Sequence, residues 1–309
     1  MAAIPTWFLL ALGLVPIGFM AVYVYYELET AAGRSLRRRG VTQRGITAAT
    51  VVSLGTVLAF GFLGPVNLFA SGDAVEAVGY PTLGLLIPYV LGLLGLNVAL
   101  TNARTWRRLH PDNDVPTGSV APGAVACTGE IAGGEVGAAP VTGRDAVCWS
   151  WSVDVLDPHG VGDVGQREQW ATVDGSDGGG VFVVDDGSGP VRVDPDGATL
   201  DLWAERAVPL DADEPPSFDS PAPDVERTHG DRQRRYEESV LTPDDHVAVA
   251  GTARETSDGL TVAGDSYVAV GTLSTAATRY RNSAAVYGVV GLVDIAVSVR
   301  LLAGLYGVF

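Results

Sequence analysis

The stretch Val147-Cys148-Trp149-Ser150-Trp151-Ser152-Val153-Asp154-Val155 alternates apolar and polar side chains without a break. Successive side chains of a strand point to opposite faces, so Val147, Trp149, Trp151, Val153 and Val155 share one face. Cys148, Ser150, Ser152 and Asp154 share the other, and the pattern reads as a half-buried strand. On both sides of it, from His110 to Tyr280, short alternating runs are separated by Gly, Pro and Asp. Strands are expected at 124–131, 169–173, 181–185, 191–193, 199–203, 235–241, 246–254, 260–262 and 267–270. Asp-Gly pairs at Asp174-Gly175, Asp177-Gly178, Asp186-Gly187 and Asp258-Gly259 supply turns. No long amphipathic helix competes, so residues 109–282 read as an all-β domain, a partly open barrel or a sandwich. Within it, 209–231 is rich in Pro, Asp, Glu and Ser and reads as a mobile loop.

Outside this region the composition changes. Residues 1–26, 46–70 and 79–102 carry no charge, and each is long enough to cross a hydrocarbon core that needs roughly 20 helical residues. The expected fold is therefore three N-terminal α-helical membrane spans within 1–108, the β domain, and a C-terminal span over 283–309. The loop after the first stretch carries Arg34, Arg37, Arg38, Arg39 and Arg44, whereas 71–80 carries Asp73 and Glu76. By the positive-inside rule the arginine loop is cytoplasmic, and Arg104, Arg107 and Arg108 return the chain to that side. The expectation is a multi-pass protein of the cell membrane with a cytoplasmic β domain and both termini outside. Asp294 and Arg300 are the charged residues of the last segment. A central carboxylate costs roughly 2.5 to 3.5 kcal/mol on insertion scales, so Asp294 is expected to face protein, and Arg300 to reach toward headgroups. They are candidates for an intramembrane polar site, against the simpler reading of a hydrogen bond to Asn67 or Asn97.

The chain has 20 basic residues against 36 acidic ones, a net charge of −16, and all the basic residues are arginine. Dispersed acids without lysine fit a halophilic, archaeal protein solvated in concentrated salt, where surface repulsion is screened. The charge argues against nucleic acid as a partner. Cys127 and Cys148 form neither a disulfide framework nor a zinc motif. Gly160, Gly162 and Gly165 match a dinucleotide fingerprint, but no strand leads in and no helix follows, so no cofactor is assigned. Asp194, Asp196 and Gly197 resemble a calcium loop, yet Arg192 and Trp203 occupy ligand positions, so a turn is expected and no metal. His110, His159, His229 and His246 are scattered, and no catalytic residue is assigned. Arg232, Arg234 and Arg235 are the one basic cluster of the domain and the candidate surface contact.

Three segments in order resemble the GIDE-type, or beside-a-membrane, domain of the MULAN-like membrane-anchored ubiquitin ligases. They are Ala139-Pro140-Val141-Thr142-Gly143 with Val147-Cys148-Trp149; Phe182-Val183-Val184-Asp185 with Gly187, Gly189, Val191, Val193 and Pro195; and Arg235 to Leu241 with Pro243, Asp245, Val247, Val249 and Gly251. Pro140, Gly143, Cys148, Asp185, Gly189, Glu238 and Gly251 carry the motif. The resemblance covers about half the chain, roughly 118–274, and departs from the ligases in lacking their zinc-binding RING of Cys and His. It implies a non-catalytic module that recruits or senses a protein partner at the cytoplasmic membrane surface, through edge strands or the acidic loop at 215–223. Two other readings are a transport or channel component using Asp294, and an adaptor subunit of a ligase-like system whose RING lies elsewhere.

Overall fold

In the run His246-Val247-Ala248-Val249-Ala250, large and small apolar residues alternate. Val247 and Val249 join a buried cluster with Val125, Cys127, Phe182, Val193, Val262 and Val268. Ala248 and Ala250 belong to a second cluster with Ala126, Tyr267, Ala269, Leu109, Leu273, Ala276 and Ala277. The strand is thus buried on both faces, large side chains on one and small ones on the other.

The computed structural model describes residues 41–63, 72–157, 169–202, 205–257 and 259–305. These fall into two compact units, one up to Arg104 and from Arg281 onward, the other Thr105–Tyr280. In chain order the elements are α1 (Gln43–Leu63), α2 (Gly72–Arg108), β1 (Gly123–Gly134), β2 (Gly137–Ala138), β3 (Asp145–Ala146), β4 (Cys148–Asp157) and β5 (Gln169–Gly179). There follow β6 (Phe182–Asp185), β7 (Val191–Val193), β8 (Thr199–Asp201), β9 (Glu205–Leu210), α3 (Pro223–His229), β10 (Arg234–Leu241), β11 (His246–Thr256), β12 (Gly259–Val270) and α4 (Leu273–Leu305).

Five strands close a ring: β11 pairs with β1, β1 with β6, β6 with β7, β7 with β12, and β12 with β11. All pairs are antiparallel except β7 with β12. This is a small Greek-key barrel with the connectivity of the OB class, and closure leaves no open edge around the ring. β8 lies beside the second half of β12, in parallel. The change of partner along β12 falls at Gly264, whose φ of 77° is open to glycine. The insertions between β1 and β6 and between β7 and β11 build a separate antiparallel sheet in the order β5-β4-β10-β9. Its core joins Trp151, Val153, Val155, Leu210, Val225 and Tyr236.

The structure corrects the expected fold class. Among the described residues a single helix, Leu273–Gly304, is long and apolar enough to cross a membrane by length and composition. The first expected span, 1–26, lies outside the described residues. The second and third overlap α1 and α2, but not as expected. α1 ends at Leu63, and α2 begins at Gly72, so the acidic stretch taken for an outer loop forms the first turns of a 37-residue helix. Absence of charge marked apolar stretches, whereas backbone hydrogen bonding carries these helices into polar sequence that charge counting had assigned to loops. The loop expected at 209–231 is also corrected. Ala222 and Val225 are buried against Tyr236, Phe218 packs beside them, and Pro223–His229 is helical. Its apolar residues have a core to enter, and that outweighs its acidic composition.

Candidate functional site

The motif residues can be placed one by one. β10 runs between β4 and β9, with Glu238 opposite Trp151 and Arg206. The Glu238 side chain is 1% exposed. Its carboxylate accepts hydrogen bonds from the Val141 N–H at 2.7 Å, the Thr142 N–H at 2.9 Å and the Thr142 hydroxyl. The turn it holds begins at Ala139 and Pro140 and closes at Gly143, whose φ of 65° suits glycine. Pro140, Gly143 and Glu238 therefore form one device, a buried carboxyl satisfied by converging donors.

Asp185 does the same at the turn between β6 and β7, accepting from the Gly187 N–H at 2.7 Å and the Gly189 N–H at 3.2 Å. Gly189 has φ of 141°, and a Cβ there would lie 3.1 Å from the Gly118 Cα. Neighbouring Asp186 accepts from the Thr117 hydroxyl at 2.7 Å and the Ser188 N–H at 2.9 Å. These donors, those of Ser188 foremost, hold its carboxyl well below the usual carboxylate range. Gly251 sits where the pairing of β11 with β12 shifts, and a Cβ there would meet Ser266 and Val262 at 2.8 Å. Cys127 and Cys148 are both buried free thiols, pushed up to about 12 by burial. Each motif residue is accounted for by the backbone or core it supports.

Arg232, Arg234 and Arg235 occupy three different environments. Arg234 is 1% exposed and lies inside the second sheet. It donates to the carbonyls of His229 and Glu214 and lies 3.4 Å from the Glu226 carboxylate. Glu226 in turn accepts from the Tyr236 hydroxyl at 2.6 Å. Burial, then this bond, keeps that phenol protonated beyond its ordinary range. Arg235 pairs with Asp154 at 2.9 Å and Glu237 at 2.8 Å, and its guanidinium lies 5.0 Å from the Trp170 ring centroid. Arg232 remains partly exposed. The cluster is one of sequence, divided by the alternation of the strand.

In the helical unit Asp294 is partly exposed and Arg300 exposed. Asp294 stands beside a close crossing of α2 and α4, with its Cβ 3.1 Å from where a Cβ on Gly92 would sit. A Cβ on Gly291 would lie 2.7 Å from the Gly92 carbonyl oxygen, and one on Gly95 would lie 3.4 Å from the Gly291 Cα. Small residues thus let the two backbones touch. Asn67 lies outside the described residues. Asn97 lies instead 3.5 Å from the hydroxyl of Thr42, which caps α1. The opposite surface of α4 exposes Val286, Val289, Val290, Leu292, Val293 and Val297, with Val289 63% exposed.

The β unit also carries an open groove of about 610 Å³ between the end of α2 and the strands β1, β11 and β12. Arg107, Arg108 and Arg254 line it together with Asp112 and Asp265. Arg107 and Arg108 were legible as interfacial residues, but Arg254, an isolated arginine on a strand, was not. Among the described residues no group of three or more His, Cys, Asp or Glu is placed to hold a metal ion. No family model, curated protein or solved structure matches the chain.

Proposed function

We propose that the protein is a membrane-anchored, non-catalytic interaction or regulatory module of GIDE type that recruits or senses a protein partner at the cytoplasmic membrane surface. The observation that carries this reading is the dual character of α4. Its first turn, Leu273, Ala276 and Ala277, is buried in the core of the β unit. Farther along, only 17% of its most apolar stretch is buried. Contiguous large apolar surface of this kind on a soluble protein marks an interaction with lipid or protein. A helix that belongs to the barrel at one end and is apolar outward at the other is suited to tether the barrel to a bilayer. The turn-holding roles of Glu238, Asp185, Gly143 and Gly189 support the GIDE resemblance, since these residues maintain a backbone that a related domain would share. The lysine-free acidic composition supports a protein adapted to concentrated salt.

The test is crosslinking in native membranes at high salt, comparing the intact chain with a variant lacking 117–274. Recruitment predicts that crosslinked partners disappear with the β domain. An unchanged set of partners would assign them to the helices and contradict the reading.

A further inference from the structure

We propose that the groove at the end of α2 is a phosphate-binding site, for the group carried by an anionic lipid headgroup or by a soluble phosphate ester. Four of the residues that line it, Ala124, Ala126, Gly251 and Ala263, are small and leave room beside the strands. Its walls bring arginines from two directions, Arg107 and Arg108 from the last turn of α2 and Arg254 from β11. In a chain of net charge −16, this convergence runs against the prevailing sign.

Of the two acids in the groove, Asp265 is already engaged. Asp265, 88% exposed on the irregular stretch of β12 opposite Gly251, pairs with Arg108 at 3.2 Å. An ion pair so open to water is weak and exchangeable. Asp112 is 89% exposed, and its backbone N–H donates to the His110 ring nitrogen Nδ1 at 3.4 Å. The carbonyl oxygens at the end of α2 are occupied as well, because the Asn113 side chain donates to Arg107 O at 2.6 Å and to Arg108 O at 3.4 Å. The guanidiniums are therefore not consumed in capping the helix. Arg107 and Arg254 are both exposed, and among the described residues neither has a carboxylate partner. Two planar forks at a cleft lined in part by small residues suit the tetrahedral oxygens of a phosphate, which arginine grips with paired donors.

The site stands independently of partner recruitment, and its test leaves that question untouched. The full chain in uncharged detergent, at fixed ionic strength, is titrated calorimetrically with inorganic phosphate and with short-chain phosphatidylglycerol. Saturable binding is expected, with Arg107→Ala/Arg254→Ala raising the Kd at least tenfold and Arg232→Ala leaving it unchanged. Arg107→Lys/Arg254→Lys, which keeps the charge and loses the fork, is expected to fall between, and it carries the test if the alanine variant melts early. Phosphatidylglycerol binding at least tenfold tighter than phosphate assigns the site to a lipid headgroup; equal or weaker binding assigns it to a soluble phosphate ester. No binding of either probe, or binding unaffected by both double variants, overturns the proposal.

Discussion

The barrel and the helix pair solve the same packing problem with opposite arrangements. In β1, β11 and β12 the large residues Val125, Val247, Val249 and Val268 point inward, and the small residues Ala126, Ala248, Ala250 and Ala269 point outward beneath Leu109, Leu273 and Ala276. In α2 and α4 the small residues Gly92, Gly95 and Gly291 form the contact, while Ile87, Leu91, Val289 and Val293 point away from it. The barrel hides its bulk, the arrangement that water favours. The helices display theirs, an arrangement stable where the surroundings are themselves apolar.

Substitutions that reverse each arrangement sharpen this contrast. The largest effect is expected at Phe182, fully buried in the barrel: Phe182→Ala should cost about 3–5 kcal/mol in denaturant unfolding of the β domain. Enlarging a small residue should cost about 1–3 kcal/mol, through Ala250→Leu beneath the helix ends or Gly291→Leu at the crossing. The two should differ in what they disturb, the first lowering the melting temperature of the β domain and the second parting α2 from α4, as disulfide trapping across the crossing would register. Glu238→Ala strands the Val141 and Thr142 donors and should cost about 1–3 kcal/mol, with exchange of those two amides accelerating first.

Below about pH 9 the smallest effect is that of pH itself. Cys127 and Cys148 titrate near 9 when unfolded and near 12 in the fold, so the folded state holds its thiol protons more tightly. Their contribution to stability is complete below about pH 9 and declines as pH rises toward about 12. Tyr236 and Tyr267, also raised by burial, act in the same sense. Both thiols should resist alkylation at pH 8 until the protein unfolds, and fast labelling of the native protein would contradict their placement.

Much of the β region was legible because alternation is a local property of strands. The run 147–155 falls in a strand from Cys148 onward, but its polar face is not a wet one. Cys148 closes the barrel core, Ser150 is buried, and Asp154 is held by Arg235 and by Thr172 at 2.7 Å. Contrast between polar and apolar residues reports water on one side. It says nothing where both sides are covered, as in 246–250, where the informative contrast is large against small. Closure of the ring was not legible, since it rests on pairing between strands as distant as β7 and β12. The glycine crossing left a trace in the spacing of Gly92 with Gly95 and Gly288 with Gly291, visible only once size, not polarity, is read along a helix. The groove left almost none, because Arg254 lies 147 positions from Arg107, and the cleft depends on the irregular stretch of β12.

The central claim is that the outward face of α4 lies in lipid. It is tested most directly by placing single cysteines at Val289 and at exposed Asp219, against native thiols that are buried. Inverted membrane vesicles, cytoplasmic side outward, are then treated with a membrane-impermeant maleimide. The account predicts rapid labelling at 219 and protection at 289 until the protein is denatured in detergent. Equal labelling rates at the two positions in intact vesicles would place Val289 in water and contradict it.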